Sequence, residues 1–177
     1  MPYDVADATL EDSEGGVELR FERQLPHPPE RVWRALTEPV ELRSWHPTPC
    51  ELDPGGRVRF LALPNVPAMA DGEVLAIDPP RLLSHTWGED RLTWELRPHG
   101  AGCLLVLTHS FGGRFKAARD GAGWHICLWW LARHLEGAPT GRGEDVDGVP
   151  RGWRELNEEY LRRFDIAPHA APPPPAR

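Results

Sequence analysis

Histidines are the side chains of this sequence best suited to chemistry near neutral pH, because an imidazole titrates near pH 6.5. The four that lie in or beside apolar segments or in a proline-rich loop are His46, His85, His109 and His125. None of them stands in an HxH or HxxxH pair, so no metal site is predicted. General acid–base chemistry by a buried imidazole is compatible with the sequence, but no partner residue for it is evident.

No nucleophile with a base beside it is apparent either. Ser110 follows His109 directly in an alternating segment, so their side chains point to opposite faces of a strand. The glycine signatures of hydrolases, phosphate-binding loops and dinucleotide-binding turns are absent from the sequence. Cys50, Cys103 and Cys127 form no CxxC pair and are predicted to be buried thiols in a reducing cytoplasm. The sequence therefore predicts no catalytic residue, no metal and no cofactor.

Tryptophan is the unusual component of the composition, with 8 residues against 2 tyrosines and 2 methionines. An indole is bulky, rigid and partly polar, so it suits both a packed core and the wall of a ligand pocket. The composition leaves both interpretations open.

Length and charge exclude several classes of protein. At 177 residues the chain fits one domain better than two. The net charge is −7 and the basic residues form no stripe, so no nucleic-acid partner is predicted. The acidic start lacks the apolar core of a secretory signal, and no apolar run approaches the ~20 residues that span a bilayer. We therefore expect a cytoplasmic protein without membrane insertion; the sequence assigns no oligomeric state.

The first part of the chain predicts one strand followed by two short helices. Residues 1–16 are polar and acidic, and we expect them to be flexible. Apolar and charged residues alternate over 17–22, which is the period of a half-buried strand. Pro29 suits the first turn of a helix that ends before Pro39. A second short helix is predicted over 40–45.

Short apolar runs separated by turn residues follow. Pro54-Gly55-Gly56 and Asp78-Pro79-Pro80 are turn signals, and residues 88–91 join two runs as a hairpin. Regular spacing of this kind predicts a meandering antiparallel sheet, with strands over 57–63, 71–77, 82–87, 92–97 and 103–111.

The period then changes to that of a long helix. Trp124, Leu128, Leu131 and Leu135 are spaced as one apolar stripe, and Gly137 suits the C-terminal cap. We expect a single domain over 17–165. Its last part comprises a loop over 137–150 and an extra helix over 151–164, before a disordered proline-rich tail over 166–177.

Several short motifs follow one another in a characteristic order. They are PPERVWRALT at 28–37, SWHP at 44–47, GRVRF at 56–60, IDPPRL at 77–82 and LTHSF at 107–111. In this order they resemble the START-like, helix-grip superfamily, most closely its branch named after the activator of the 90-kilodalton heat-shock chaperone. The resemblance covers about residues 17–136, and His46 stands where that branch usually carries a second tryptophan. It implies an α+β fold with a curled antiparallel sheet of about seven strands, two short helices and a long C-terminal helix over a cavity.

The resemblance also implies a function, because such proteins bind lipids, polyketides or other hydrophobic molecules in the cavity. Strand alternation places a mostly apolar set of side chains with a few polar groups toward the long helix, which is the usual lining of a ligand pocket. We predict a cavity of roughly 300–1,000 Å³ there. The candidate ligand-binding residues are Trp45, Phe60, His85, Trp87, Trp94, His109, Phe111, Trp124 and Leu128.

Three functions are compatible with these features. The favoured one is binding of a hydrophobic, aromatic or polyketide-type small molecule, for antibiotic self-resistance or biosynthesis. The second is a polyketide cyclase or aromatase in which His109 or His85 is the acid–base group. The third is a protein–protein module that assists a chaperone. Both imidazoles are also compatible with a solid core in which each has a backbone partner, His85 more so than His109.

Overall fold

A computed structural model describes residues 8–53, 55–61, 69–139 and 152–168. Its strands are β1 (Ala8–Ser13), β2 (Gly16–Leu25), β3 (Cys50–Leu52), β4 (Arg57–Phe60), β5 (Gly72–Asp78), β6 (Leu82–Trp87), β7 (Asp90–His99) and β8 (Gly102–Phe111). Its helices are α1 (Pro29–Thr37), α2 (Pro39–Leu42), α3 (Ala117–Leu135) and α4 (Trp153–Arg163). None of the helices in these ranges is long and apolar enough to cross a membrane. Most of the predicted loop over 137–150 and of the tail over 166–177 lies outside the described residues.

All the strands form one antiparallel sheet in the order β1-β2-β8-β7-β6-β5-β4-β3. The prediction of an α+β fold with a large antiparallel sheet and a long C-terminal helix is confirmed. Two finer parts of that prediction are wrong. The sheet has eight strands rather than about seven, and in the described residues it is open, with β1 and β3 as its outermost strands, rather than curled around the helix.

Residues 8–13 form an edge strand where we expected flexible chain. Glu14 and Gly15 make the two-residue turn of a β1–β2 hairpin, and Gly15 has a φ of +95° that favours glycine. Ala8 is fully buried, and its carbonyl accepts a hydrogen bond from Arg163 of α4 at 3.0 Å. The acidic composition suggested disorder, but pairing with β2 and contact with α4 satisfy the backbone of this segment.

Strand alternation correctly places the apolar side chains of β6, β7 and β8 on one face. The register aligns two rows of buried side chains across these strands, Leu83-Trp94-Leu107 and His85-Leu92-His109. Because α3 packs on this inner face, both imidazoles lie between the sheet and the helix.

A partly buried ion-pair network joins α1, α2 and the end of α3. The Glu41 carboxylate accepts hydrogen bonds from Arg31 at 2.5 Å, Arg34 at 3.3 Å and His134 at 3.0 Å. Burial of the Glu41 carboxyl acts to raise its pKa, but the hydrogen bonds from His134 and Arg31 outweigh burial and hold the pKa below its usual value. The network therefore fixes the two short helices against the C-terminal turn of α3.

The extra helix α4 packs on α3. Its apolar side and the residue that follows it contribute buried Leu156, Tyr160 and Phe164 to the core. The Tyr160 hydroxyl lies 3.1 Å from Nδ1 of His125. Gly121 permits this approach, because a Cβ at that position would lie 3.2 Å from the nearest atom of the Tyr160 ring.

The two glycines inside α3 provide a matched test of this packing. Gly121→Ala and Gly123→Ala gain the same helix propensity, about 1 kcal/mol, but a Cβ at Gly123 would meet nothing within 4 Å. We expect Gly123→Ala to raise the free energy of unfolding and Gly121→Ala to be about 1–3 kcal/mol less stable than Gly123→Ala, the usual cost of overpacking. Urea unfolding of the two variants measures the difference. Equal stability would mean that α4 does not press on Gly121.

Candidate functional site

An aromatic cluster lies between the inner face of the sheet and α3. Trp124 of α3 is its centre, with ring centroids 5.5 Å away at each of Trp87, Trp94 and His46. Trp45 and Phe111 extend it, the first 5.8 Å from Trp94 and the second 4.7 Å from His109. Most of these pairs meet edge to face or tilted, which is the preferred aromatic geometry. Rings at these separations are in contact, so the space between them is filled by the cluster itself.

The indole N–H groups of this cluster have specific acceptors. Trp45 donates to the Ala35 carbonyl at 2.9 Å, and Trp87 donates to the Thr48 hydroxyl at 2.8 Å. Trp124 donates to Nδ1 of His109 at 3.1 Å. The first two bonds anchor the cluster to α1 and to the segment before β3, and the third joins α3 to β8.

His109 is the middle of a chain of polar contacts. Because an indole nitrogen can only donate, Nδ1 of His109 must accept from Trp124, and the neutral ring then carries its proton on Nε2. This Nε2–H donates to Asp90 at 2.9 Å, and the ammonium of Lys116 donates to both Asp90 oxygens at 2.5 and 2.6 Å. Both ring nitrogens of His109 are therefore engaged, and the residue is a satisfied core imidazole.

The charge of Asp90 is stabilised by this chain. Burial of the Asp90 carboxyl acts to raise its pKa, but hydrogen bonds from His109 and Lys116 outweigh burial and hold the pKa below its usual value. The carboxylate therefore stays ionised at neutral pH and fixes the tautomer of His109.

Asp90, His109 and Asp120 each place one ligand-type atom within 4.8 Å of the others, which is close enough to share a metal ion. These three residues nevertheless do not suit a metal ion. The Lys116 ammonium already takes the place of a cation on Asp90, and Nε2 of His109 carries a proton rather than a free lone pair. One carboxylate, Asp120, remains, and its Oδ1 accepts from Arg119 at 2.8 Å.

His85 is arranged differently from His109. Its ring is 2% exposed, and its Nδ1 lies 2.9 Å from the carbonyl oxygen of Thr86, which can only accept. Nδ1 therefore carries the proton and Nε2 is an acceptor, for which the described residues provide no donor. Burial is the main cause that lowers the pKa of His85, opposed by the bond to Thr86, so the ring is neutral at pH 7. The ring of Phe60 lies 6.5 Å from it.

The predicted ligand-binding residues thus fall into two groups. The deep group forms the buried cluster and the core behind it: Trp45, Trp94, His109, Phe111, Trp124 and Leu128. The peripheral group combines buried His85 with half-buried Phe60 and Trp87, at the side of the sheet formed by β4 and β6. Within the described part of the chain, the peripheral group is where predicted lining side chains remain partly exposed. Contact of either group with a ligand stays a prediction.

Cys50 and Cys103 provide no nucleophile at neutral pH. All three cysteines are buried and free of disulfides. Burial, with a smaller effect of a nearby glutamate, raises the pKa of Cys50 to about 11 and the pKa of Cys103 to about 11. A thiol with such a pKa is protonated and unreactive at pH 7.

Asp90, Lys116 and Asp120 were not predicted from the sequence. Asp90 and Lys116 are 26 residues apart, so no local pattern connects them. One signal was present in the alternation of β7. Asp90, Leu92 and Trp94 are two residues apart along the strand, so Asp90 shares their inner face. The charge of Asp90 suggested a turn residue instead.

Comparisons with known proteins agree with this fold. The model of the family described as activator of Hsp90 ATPase homolog 1-like protein matches residues 26–136. The chain belongs to this family. The resemblance inferred from the sequence motifs is thereby confirmed, and members of this helix-grip family typically bind hydrophobic ligands. β1 and α4 lie outside the matched residues. No curated protein sequence matches the chain.

Solved structures share the fold along most of the chain. A conserved protein of unknown function from Enterococcus faecalis, EF2215, is 23% identical with a TM-score of 0.71, covering 93% of this chain and 94% of its own. CalU16 from Micromonospora echinospora is 21% identical with a TM-score of 0.65, covering 85% and 88%. The BPP1335 protein of Bordetella parapertussis is 27% identical with a TM-score of 0.61, covering 87% of each chain. At identities of 23% and 21%, the first two structures show that the fold is shared and nothing about function.

The polar chain predicts opposite effects for two aspartates. Asp90→Asn removes the charge that Lys116 and His109 share, and we expect the free energy of unfolding at pH 7 to fall by about 1–3 kcal/mol. Folding lowers the pKa of Asp90 below its usual value of 3.8. The extra stability of the wild type over Asp90→Asn is therefore fully present above pH 3.8, and it is lost as the pH falls through the pKa of the folded state. Urea unfolding at pH 7 and pH 3 measures both effects.

Asp120→Asn is the matched control. Its side chain is 8% exposed, and its Oδ2 is buried without a hydrogen-bond partner in the described ranges. Asparagine keeps the acceptor for Arg119 and removes a second negative charge within 4.8 Å of Asp90, so stability should stay equal or rise. A loss as large as that of Asp90→Asn would contradict the assignment of the shared charge to Asp90.

Proposed function

We propose that the protein binds an uncharged aromatic, polyketide-type small molecule at the peripheral group of Phe60, His85 and Trp87. The observation that carries the proposal is that Phe60 and Trp87 stay half-buried beside the buried ring of His85, whereas the other candidate residues are buried in the core. Half-buried aromatic faces remain partly in water, and a bound aromatic molecule would remove them from it. Antibiotic self-resistance or biosynthesis, which the family resemblance implies, is the biological context that we propose.

The surroundings of His85 support an apolar, aromatic ligand. Phe60 packs beside the imidazole at 6.5 Å and is half-buried. Trp87 follows two residues later on the same face of β6, and its ring contacts Trp124 at 5.5 Å. Two half-buried aromatic faces next to a single polar acceptor match the composition of small-molecule sites, which are mostly apolar with a few polar groups.

The catalytic alternative is less well supported for His109 than binding is for the peripheral group. A general acid or base needs a ring nitrogen within reach of the substrate, and Trp124 and Asp90 occupy both nitrogens of His109. The chaperone-assisting alternative needs a continuous exposed apolar surface. The large apolar side chains exposed in the described ranges are Val40, Leu75, Ile77 and Phe115, distributed over α2, β5 and the turn before α3. Exposed apolar residues in this number are ordinary for a monomer surface.

Titration with 1-methoxynaphthalene, followed by amide chemical shifts, tests the proposal. We expect saturable shifts at β4 and β6 in the wild type. Phe60→Ala should weaken binding about tenfold, because it removes an aromatic contact worth about 1.4 kcal/mol.

Leu75→Ala is the control for this truncation. Leu75 is 50% exposed and lies on neighbouring β5, on the face opposite to half-buried Val74. Its removal should leave the affinity unchanged. Absence of saturable shifts in the wild type, or equal weakening by both variants, would refute binding at the peripheral group.

A further inference from the structure

We propose that Thr48 is a positioning residue for the ligand site, because its hydroxyl holds the indole of Trp87 in the orientation in which that ring meets a bound molecule. This inference rests on the proposed function and names the residue that determines the shape of the same site. Thr48 acts through Trp87 and does not itself contact the ligand.

Trp87 is the residue through which the deep and peripheral groups touch. Its ring lies 5.4 Å from His109 and 5.5 Å from Trp124, so one side of the indole packs on the deep group. The residue is nevertheless half-buried, so part of it remains accessible to water. The orientation of this indole therefore determines how much aromatic surface the peripheral group presents.

The indole has one polar atom that can fix its orientation, and Thr48 is the partner of that atom. The Trp87 Nε1–H donates to the Thr48 hydroxyl oxygen at 2.8 Å. The contacts of Trp87 with His109 and Trp124 are ring contacts, tilted or edge to face. More than one arrangement of such rings is favourable, whereas an N–H···O bond is strongly directional. The hydrogen bond to Thr48 therefore selects one orientation of the indole.

Thr48 can hold the indole because its own segment is fixed along its length. Pro47 and Pro49 flank it, and each proline ring fixes its own backbone φ angle. The Thr48 amide donates to Nδ1 of His46 at 3.2 Å, and the Pro49 carbonyl accepts from the Leu61 amide at 2.8 Å. Thr48 is 9% exposed, so water competes little for its hydroxyl. The hydroxyl is thus a fixed acceptor facing a half-buried ring.

The test compares Thr48→Val with Thr48→Ser, since valine keeps the shape of threonine without the hydroxyl and serine keeps the hydroxyl. In the free protein, the Trp87 Nε1–H should exchange with solvent about fivefold faster in Thr48→Val, the effect of one net hydrogen bond. In a titration with 1-methoxynaphthalene at pH 7, Thr48→Val should bind about fivefold more weakly than the wild type. Thr48→Ser should bind within about twofold of the wild type.

Thr93→Val is the matched control. The Thr93 hydroxyl lies 2.9 Å from the Ser84 hydroxyl, on the opposite face of the sheet from Trp87. This variant therefore also loses a hydrogen bond of a part-buried hydroxyl, and the two valine variants should lose similar stability in urea. A purely structural role of Thr48 predicts that both variants bind the probe alike. A loss of affinity in Thr48→Val that Thr93→Val does not share comes from the position of Trp87.

The outcomes separate this inference from the proposed function. If the wild type binds the probe and Thr48→Val binds it no less tightly, the role of Thr48 is overturned while the aromatic site stands. Equal weakening by Thr48→Val and Thr93→Val, or an unchanged exchange rate of the Trp87 Nε1–H in Thr48→Val, also overturns it. If the wild type does not bind the probe, the proposed function fails and the inference fails with it. Weaker binding in Thr48→Val, restored in Thr48→Ser and absent from Thr93→Val, supports the inference.

Discussion

The indole of Trp124 ends a chain of hydrogen bonds that begins at the ammonium of Lys116. An ammonium and an indole only donate, a carboxylate only accepts, and a neutral imidazole does one of each. The order Lys116–Asp90–His109–Trp124 therefore has one self-consistent arrangement of protons. This arrangement joins the start and middle of α3 to β7 and β8, and it places Trp124 at the centre of the aromatic cluster.

A second electrostatic contact holds the other end of α3, where Glu41 accepts from His134 and two arginines. The helix is thus held at both ends with aromatic packing between them.

The β3–β5 side of the sheet has fewer paired backbone positions than the rest of the sheet. Its strands β3 and β4 are short, and the register between β5 and β6 shifts between Val74 and Ala76. Ligand sites are often drawn from such less stable regions of a fold, and the peripheral group lies at this side.

Two histidines of one row have different chemistry because their neighbours differ. His85 and His109 lie on the same face, separated by Leu92. Asp90 and Trp124 satisfy both nitrogens of His109, whereas the Thr86 carbonyl satisfies one nitrogen of His85. Both are histidines of one cross-strand row, so their neighbours decide how many ring nitrogens are engaged.

The sequence by itself determined the elements whose signals are local. Alternation along β6, β7 and β8 and the stripe of Trp124 on α3 predicted which side chains point inward, because strand and helix periods are properties of the backbone. The series of short motifs identified the family.

The tertiary structure decided the rest. An acidic segment became β1 because β2 offered a hydrogen-bonding edge, and β3, only three residues long, exists by pairing with β4. The division of the candidate residues into a filled cluster and a peripheral group depended on contacts such as Lys116 with Asp90, 26 residues apart. Such contacts form between elements, where the distance between side chains is set by packing and has no counterpart in the spacing of residues along the chain.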